Sequence, residues 1–426
     1  MFSCKKEIIG QGVAEMERYK IMILITFILC LIGFDTHAAN IFAKSCSVVD
    51  VQNAINSARD ADTVLVPAGN CTWGTAVSIS NKTITLRGAG SGTGGTKITY
   101  GGTNHTLINA VSGTKTGKME IFGFWLVGGD ENYWDGTALQ FGGPVGWKKL
   151  RIHDMVFDGN KPWSIKGDGP TYGVIDNCTF KGSAAGIMLY GRGDTDWTTS
   201  LALGTSDFFF IENNTFDWDD YYGSTGSPTF DLDGGGRVVF RNNIVKYGMF
   251  ETHDFARSGL VSGHSYEIYN NHFWTDTEKW KGLDIASGTG VIWGNTFTGP
   301  YTYPIGGMDY KSFDPRNAKL CDGTDPQDQN TPGQTGWRCK YQIGSHNFGA
   351  NAVGYPLYIW NNIVVDGSGP SGMFVTAGEN HVQEGRDFIN NGTTPKPGYT
   401  PYIYPHPLVS GPPPKIPLPP KIVDIY

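Results

Sequence analysis

The chain has 426 residues, a formal net charge of −7 and only 17% charged residues, together with 59 glycines. This length allows two ordinary domains or one long repetitive domain, and runs of Thr, Val, Ile, Phe and Tyr between Gly, Asn and Asp favour many short β-strands. A negative field disfavours nucleic acid and other polyanions unless a local basic groove or a bound cation intervenes, so we expect no nucleic-acid partner.

Residues 1–39 have the features of an export signal. An apolar run, IMILITFILCLIGF (21–34), follows basic residues and precedes small residues at Thr36 and Ala38. This is the pattern of a cleaved secretory signal, and the run is too short for a comfortable membrane span. We therefore predict a secreted protein, extracellular or periplasmic, with no membrane contact after cleavage.

Five cysteines follow this segment, and an oxidising compartment makes two local pairs natural, Cys46–Cys71 and Cys321–Cys339. The alternative is that all five are reduced and buried. Cys178 is left over inside a predicted strand, where we expect it to be a small interior hydrophobe.

A strand-and-turn motif recurs through the middle of the chain. Each copy has a short run of alternating apolar positions, a turn that usually contains Asn, and a further apolar residue. The copies are KLRIHDMVF (149–157), VIDNCTF (174–180), FFIENNTF (209–216), VVFRNNIV (238–245), YEIYNNHF (266–273), VIWGNTF (291–297) and LYIWNNIV (357–364).

The spacing of these copies predicts the fold. Aligned on the turn residues Asp154, Asn177, Asn213, Asn242, Asn270, Gly294 and Asn361, the steps are 23, 36, 29, 28, 24 and 67 residues. Steps in the twenties are typical of one coil of a parallel β-helix, which buries its apolar face only by stacking on its neighbours. Longer steps indicate inserted loops.

The repeated asparagines have a structural explanation. Asn tolerates the left-handed conformation of a sharp turn, and stacked amides can hydrogen-bond along the axis. We assign this role to Asn213, Asn242, Asn270 and Asn361, with alternate Val, Ile and Phe side chains pointing inward.

The N-terminal end resembles a known superfamily. A short amphipathic helix, roughly 48–59, precedes DTVLVPAGNCTW and then SISNKTITLRGAG. This order looks like the cap and first coils of the pectate-lyase-like right-handed parallel β-helix superfamily, and the Asn repeats agree over most of residues 45–390. The resemblance implies an all-β, single-stranded, right-handed parallel β-helix with an N-terminal helical cap. It indicates a fold superfamily rather than one activity.

We therefore predict one β-helix domain over residues 40–391 and a Pro-rich extended C-terminal tail over 392–426. A long insertion loop at 299–356 separates the last two motif copies, and loops of that length usually carry function. Its aromatics are the residue types that stack on sugars, and Trp337, Tyr310 and Tyr303 are candidate substrate contacts. The alternative is that they pack the loop onto the coil.

Charged side chains concentrate in two adjacent coils. The segment 246–264 holds Glu251, His253, Arg257 and His264, and the next coil holds Lys281 and Asp284. Arg257 and Lys281 both lie 13 residues before their turn positions, so we expect them to stack on neighbouring coils about 5 Å apart. Such a pair needs acidic neighbours, a substrate carboxylate or splayed side chains.

Carboxylates at similar offsets suggest a cation. Asp231, Asp233 and Asp284 lie 11, 9 and 10 residues before their turns and could hold a calcium ion, which prefers oxygen ligands. The alternative is that they form salt bridges to Arg257 and Lys281.

These residue types suit the β-elimination of a uronate. A base removes the proton next to the carboxylate, and cations or calcium stabilise the developing charge. Arg257, Lys281, His264 and His253 are the candidate catalytic residues, and Glu251 is a candidate substrate contact. Polysaccharide lyases of the resembled superfamily use the same residue types.

Glycoside hydrolysis remains an alternative, because it needs two or three carboxylates, and Asp217, Asp219 and Asp220 with His264 faintly resemble the hydrolase branch. That branch's Arg-Ile-Lys segment has no match after GHSYEIYNN. The leading hypothesis is a secreted polysaccharide lyase that acts on an acidic glycan. A non-catalytic glycan-binding adhesin, matrix or fibre protein is also open, and the sequence does not indicate the oligomeric state.

Overall fold

The computed structural model describes residues 38–102, 106–128, 137–159, 163–182, 185–220, 223, 227–253, 261–308, 341–347, 353–377 and 382–409. The predicted export segment, apart from its last two residues, and the predicted Cys321–Cys339 pair lie outside these ranges. Among the described residues, no helix is long and apolar enough to cross a membrane.

Three parallel sheets run the length of the described chain. Sheet A contains β1 (Asn40–Phe42), β2 (Thr63–Leu65), β5 (Thr85–Arg87), β8 (Met119–Phe122), β11 (Leu150–His153), β14 (Gly173–Asp176), β17 (Phe209–Glu212), β20 (Arg237–Arg241), β23 (Ser265–Tyr269), β26 (Thr289–Trp293), β31 (Leu357–Trp360) and β34 (Phe388–Asn390). Sheet B contains β3 (Gly69–Trp73), β6 (Thr96–Tyr100), β9 (Phe124–Val127), β12 (Val156–Asp158), β15 (Thr179–Gly182), β18 (Thr215–Trp218), β21 (Ile244–Lys246), β24 (His272–Trp274), β27 (Thr296–Thr298) and β32 (Ile363–Val365).

Sheet C completes each coil with β4 (Val77–Ser80), β7 (Thr106–Val111), β10 (Thr137–Gly142), β13 (Trp163–Gly167), β16 (Ala185–Tyr190), β19 (Ser227–Asp233), β22 (Gly248–Thr252), β25 (Lys279–Ile285), β28 (Tyr301–Met308) and β33 (Met373–Ala377). Successive strands along the chain fall in different sheets and return to the first after one coil. The predicted right-handed parallel β-helix is therefore confirmed. A small antiparallel pair, β29 (Ser345–His346) and β30 (Val353–Gly354), lies outside the three sheets.

Two helices occur in the described residues, α1 (Val48–Ser57) and the single turn α2 (Asp194–Trp197). The hydroxyl of Ser47 caps α1 by accepting the N–H of Asp50, and Val51, Ala54 and Ile55 are its buried face. The helix ends two residues before the predicted boundary, because Ala58 is extended.

The seven predicted turn positions all adopt the left-handed conformation. Their φ angles lie between 49° at Asp154 and 63° at Gly294. The residues just before them are paired in register from β11 to β31, so the motif alignment is correct at every step. Asn suits these positions because its side chain tolerates a positive φ.

The stacked amides lie one residue later than predicted. The Oδ1 of Asn243 accepts the backbone N–H and the side-chain amide of Asn214, at 2.9 and 3.1 Å. Asn271, Asn295 and Asn362 repeat this arrangement on the following coils. The first Asn of each NN pair therefore makes the turn, and the second points inward and joins neighbouring coils.

The interior is filled by apolar side chains in register. Phe157, Phe180 and Phe216 stack on successive coils, with ring centroids 4.8 and 4.6 Å apart. Cys178 is buried in this core as predicted, but it lies in the turn between β14 and β15 rather than inside a strand. The predicted Cys46–Cys71 disulfide is confirmed.

The described part of the Pro-rich segment, residues 392–409, lies on the outer face of sheet A. Arg241 forms a fully buried ion pair with Glu212 and also donates to the carbonyls of Tyr402 and Ile403. Glu212 accepts the backbone N–H of His406 at 2.9 Å. The segment therefore completes a buried polar network on that sheet.

Candidate functional site

One row of residues crosses the five strands at the C-terminal end of sheet C. Strands β19, β22, β25, β28 and β33 lie side by side, and their register places Asp231, Glu251, Asp284, Gly306 and Phe374 opposite one another in turn. Neighbouring strands in a sheet are about 4.8 Å apart, so three carboxylates follow each other at that spacing. We call Asp231, Glu251 and Asp284 the acidic row.

Histidine joins the start of this row. His253 lies two residues after Glu251, which directs both side chains to the same face. Its Nδ1 is 3.4 Å from Asp231 Oδ2 and 3.7 Å from Glu251 Oε1. The ligand atoms of these three residues all lie within 4.8 Å of one another, which is close enough for one metal ion to reach each of them.

Burial and mutual repulsion change the protonation of this group. Burial, reinforced by the charge of Asp231, raises the pKa of Glu251 to about 8 and that of Asp233 to about 9. Burial opposes the charged form of His253, but the hydrogen bond and charge of Asp231 outweigh it and raise the pKa of His253 to about 10. At neutral pH the imidazolium of His253 is therefore the nearest counter-charge to the first two carboxylates of the row.

A buried lysine pairs with the third carboxylate. Lys281 Nζ lies 2.7 Å from Asp284 Oδ1, and both side chains are buried. Burial lowers the pKa of Lys281 despite Asp284, and burial raises the pKa of Asp284 despite Lys281. The two pKa values therefore move towards each other, which makes this amine easier to deprotonate than an exposed lysine.

A glycine creates the space for this lysine. A Cβ placed on Gly306 would lie 2.5 Å from Cε and 2.6 Å from Cδ of Lys281, so the lysine stem runs directly over the bare backbone of β28. The alternative prediction, a salt bridge between Lys281 and Asp284, is present in the structure.

An aromatic pair lies beside the lysine. Tyr303 is opposite Lys281 in the register of β25 and β28, and its ring stacks on that of Phe374 with centroids 4.9 Å apart. The predicted insertion loop 299–356 therefore begins with a strand of sheet C, and Tyr303 belongs to a sheet face rather than to a loop.

His264 belongs to a different environment. It is fully buried; its Nε2 lies 3.0 Å from Nδ1 of His346, and its ring packs on that of Trp197. Burial, with the nearby charge of Arg237, lowers its pKa well below the ordinary value. The structure does not bring this imidazole into the acidic row.

Three predicted residues, Arg257, Trp337 and Tyr310, lie outside the described residues, so the expected stacking of Arg257 on Lys281 stays a prediction. Two carboxylates of the hydrolase alternative are paired with residues other than the acidic row. Asp217 on sheet B pairs with Lys246 at 2.9 Å, and Asp220 accepts hydrogen bonds from Lys279 and Thr277.

Two features of the site were missed by sequence reasoning. The sequence analysis treats Glu251 as a substrate contact and His253 as a catalytic residue, and it does not predict that they form one cluster with Asp231. The two-residue spacing of Glu251 and His253, which places both side chains on one face of a strand, indicates this cluster. Phe374 was not selected, although it is an apolar residue at an outward position of MFVTA and is 49% exposed.

The fold and this row define a parallel β-helix protein with a buried acidic site on one outer sheet face. No protein-family model matches the sequence, and no curated protein matches it. An alginate lyase from Paenibacillus sp. strain FPU-7 is similar in structure, with a TM-score of 0.34 and 15% identity over 61% of this chain and 95% of the other.

Two further solved structures are similar over most of the chain. The PL6 family alginate lyase AlyGC has a TM-score of 0.44 and 13% identity, covering 86% of this chain and 52% of its own. The catalytic unit of a GH87 alpha-1,3-glucanase from Streptomyces thermodiastaticus strain HF3-3 has a TM-score of 0.43 and 11% identity, covering 84% of this chain and 69% of its own.

Proposed function

We propose that this protein is a secreted carbohydrate-active enzyme, a polysaccharide lyase that cleaves an acidic glycan by β-elimination. The observation that carries the proposal is the acidic row with its buried Lys281, whose pKa is lowered, on one face of sheet C. Elimination next to a uronate carboxylate requires a base for the adjacent proton and positive charge near the carboxylate.

The start of the row suits a calcium ion. Asp231 and Glu251 supply carboxylate oxygens, which calcium prefers, within 4.8 Å of each other, and Asp233 lies two residues after Asp231 on the same strand. Oδ1 of Asp231 is buried without a hydrogen-bond partner in the described part of the chain. The raised pKa values of Glu251 and Asp233 reflect crowded negative charge that a divalent cation would relieve. When bound, calcium would neutralise the uronate carboxylate and stabilise the charge that develops on it. Asp284 is not assigned to the cation, because it forms a salt bridge with Lys281.

Lys281 is the proposed base. Its neutral amine takes the proton from carbon 5 of the uronate, the C–H electron pair forms the double bond between carbons 4 and 5, and the bond from carbon 4 to the glycosidic oxygen breaks. Asp284 holds the amine in position through its 2.7 Å contact. Because Lys281 is fully buried, substrate access requires the residues that cover it to move.

His253 is the proposed acid. Its side chain is 36% exposed, and in the calcium-free protein Asp231 raises its pKa to about 10. Oδ1 of Asp231 would face the cation while Oδ2 keeps its 3.4 Å contact with His253 Nδ1, which favours the imidazolium. It can give a proton to the departing glycosidic oxygen, which balances the proton that Lys281 removes. Arg257, outside the described residues, remains a candidate for a second positive charge at the leaving group.

Hydrolysis is a second candidate because of one observation. With a pKa of about 8, Glu251 is a protonated carboxylic acid at neutral pH, and Asp231 lies beside it. Glycoside hydrolysis uses a protonated carboxyl group as the acid together with a second carboxyl group nearby.

The product of the reaction distinguishes these functions. Purified protein is incubated with polymers of different uronic acids and with a neutral glucan, and both ultraviolet absorbance and new reducing ends are followed. A lyase gives both signals together, because elimination creates an unsaturated uronate. New reducing ends without absorbance would show that the protein is a hydrolase and not a lyase. Binding without cleavage would show that it is a non-catalytic glycan-binding protein.

A further inference from the structure

The Tyr303–Phe374 pair is an exposed aromatic surface at the end of the acidic row. Phe374 is 49% exposed and lies on β33, opposite Gly306 and two strands beyond Asp284. Its ring and that of Tyr303 are nearly parallel, with an interplanar angle of 11°. Half of a phenylalanine side chain is thus presented to solvent on the face that carries the charged site.

We infer that Tyr303 and Phe374 form a sugar-stacking subsite, which binds the apolar face of a pyranose ring of the acidic glycan next to the cleaved bond. This inference rests on the proposed function, since it takes the glycan from there. Aromatic rings offer a rigid apolar surface at low entropic cost, and carbohydrate rings present one face of C–H groups that can lie on it.

The register fixes where this subsite lies relative to the reaction. Two strand spacings separate Asp284 from Phe374, about 10 Å along the axis. Lys281 Nζ lies at Asp284, so a sugar held at Phe374 would be a neighbour of the uronate that loses its proton. The glycan chain would then run along the helix axis, across the strands.

Tyr303 connects the two parts of the site. It is opposite Lys281 in the strand register, and its ring covers one face of Phe374. Since the aromatic pair touches no reacting atom, it should act on substrate affinity and leave proton transfer unchanged. That separates it from a catalytic residue, whose loss lowers kcat.

The test compares Phe374→Ala and Phe374→Trp with a matched control, Ile363→Ala. Ile363 is 54% exposed on sheet B and, like Phe374, can be truncated with little loss of buried apolar surface. Affinity for uronate oligosaccharides is measured by calorimetry with calcium present, and KM and kcat are measured on the matching polymer.

We expect Phe374→Ala to weaken binding and raise KM by roughly tenfold, in line with the loss of one aromatic contact, with kcat within about twofold of the wild type. Phe374→Trp should restore affinity, and Ile363→Ala should leave it unchanged. Unchanged affinity in Phe374→Ala, an equal loss in Ile363→Ala, or a wild type that binds none of the glycans would overturn the subsite.

These outcomes are separable from failure of the lyase. If the wild type binds the oligosaccharides through Phe374 but catalyses no elimination, the subsite is supported and the lyase function is contradicted. If the protein is an active lyase and Phe374→Ala does not change its KM, the lyase function is supported and the subsite is contradicted.

Discussion

Lys281 reaches Asp284 three residues further along its own strand, with Nζ 2.7 Å from Oδ1, by running its stem over Gly306 of the next strand. Any side chain at Gly306 would occupy the path of that stem. The position of the proposed base is therefore set by a residue that has no functional group.

Replacing this glycine should displace the base. In Gly306→Ala the new Cβ would lie 2.5 Å from Cε of Lys281, so we expect the rate of elimination to fall by at least about tenfold. Gly92→Ala is the control, because a Cβ at Gly92 meets nothing within 4 Å. Activity and melting temperature are measured for both variants. Full activity in a folded Gly306→Ala protein would contradict the assignment of Lys281.

Stability should depend on pH and on divalent cations together. Glu251, Asp233 and His253 have folded-state pKa values of about 8, 9 and 10, above their ordinary values, so each stabilises the fold at low pH and loses this contribution as pH rises through its folded-state pKa. In chelator, the melting temperature should fall between about pH 6 and pH 9.

Calcium should offset this loss, because it binds the deprotonated carboxylates. The rise in melting temperature on adding calcium should grow from pH 6 to pH 9, and Asp231→Asn should abolish it. Asp217→Asn, on the exposed pair of sheet B, is the matched control and should keep it. If calcium raises the melting temperature equally at every pH, or still raises it in Asp231→Asn, the proposed calcium site is contradicted.

Two neighbouring asparagines should differ sharply in their contribution to stability. Asn270→Ala changes only a left-handed turn residue, which should cost about 1 kcal/mol. Asn271→Ala removes the acceptor of the N–H and amide of Asn243 and the donor to Phe240, all buried, and should cost about 3 kcal/mol or more. Urea unfolding midpoints compare the two variants. Equal destabilisation would mean that the ladder contributes little.

The buried pair under residues 392–409 gives a further prediction. Arg241→Met leaves Glu212 buried without its counter-charge and should destabilise the protein by about 3–5 kcal/mol. Lys246→Met breaks the exposed pair with Asp217 and should change stability by less than about 1 kcal/mol. Thermal unfolding distinguishes them, and a neutral Arg241→Met would show that the segment is held by apolar packing alone.

Much of the fold was predictable because the strand-and-turn motif repeats in the sequence at about the length of one coil. The turn residues from Asp154 to Asn361 all have positive φ, and their alignment gives the register of seven coils. The amide ladder was misplaced by one residue because both residues of an NN pair suit a turn in composition. Only burial separates Asn270, which is exposed, from Asn271, which is 2% exposed.

The site was less predictable because it depends on side-chain direction and burial. Offsets from the turns brought Asp231 and Asp284 into one row, which the register confirms through Glu251. The same offsets could not reveal that the stem of Lys281 passes over Gly306, or that His264 points towards His346. The role of Phe374 depends on its exposure beside Tyr303, which strand alternation alone does not give.

The most direct test of the central claim is the ultraviolet absorbance of the unsaturated uronate, followed on uronic-acid polymers for the wild type, Lys281→Met and Lys246→Met. Calcium and chelator are compared in each case, and melting curves confirm that all three proteins are folded. The account predicts rising absorbance for the wild type and Lys246→Met in calcium, little in chelator, and a loss of at least about a hundredfold in Lys281→Met. Absorbance that persists in Lys281→Met, or new reducing ends without absorbance in the wild type, would contradict it.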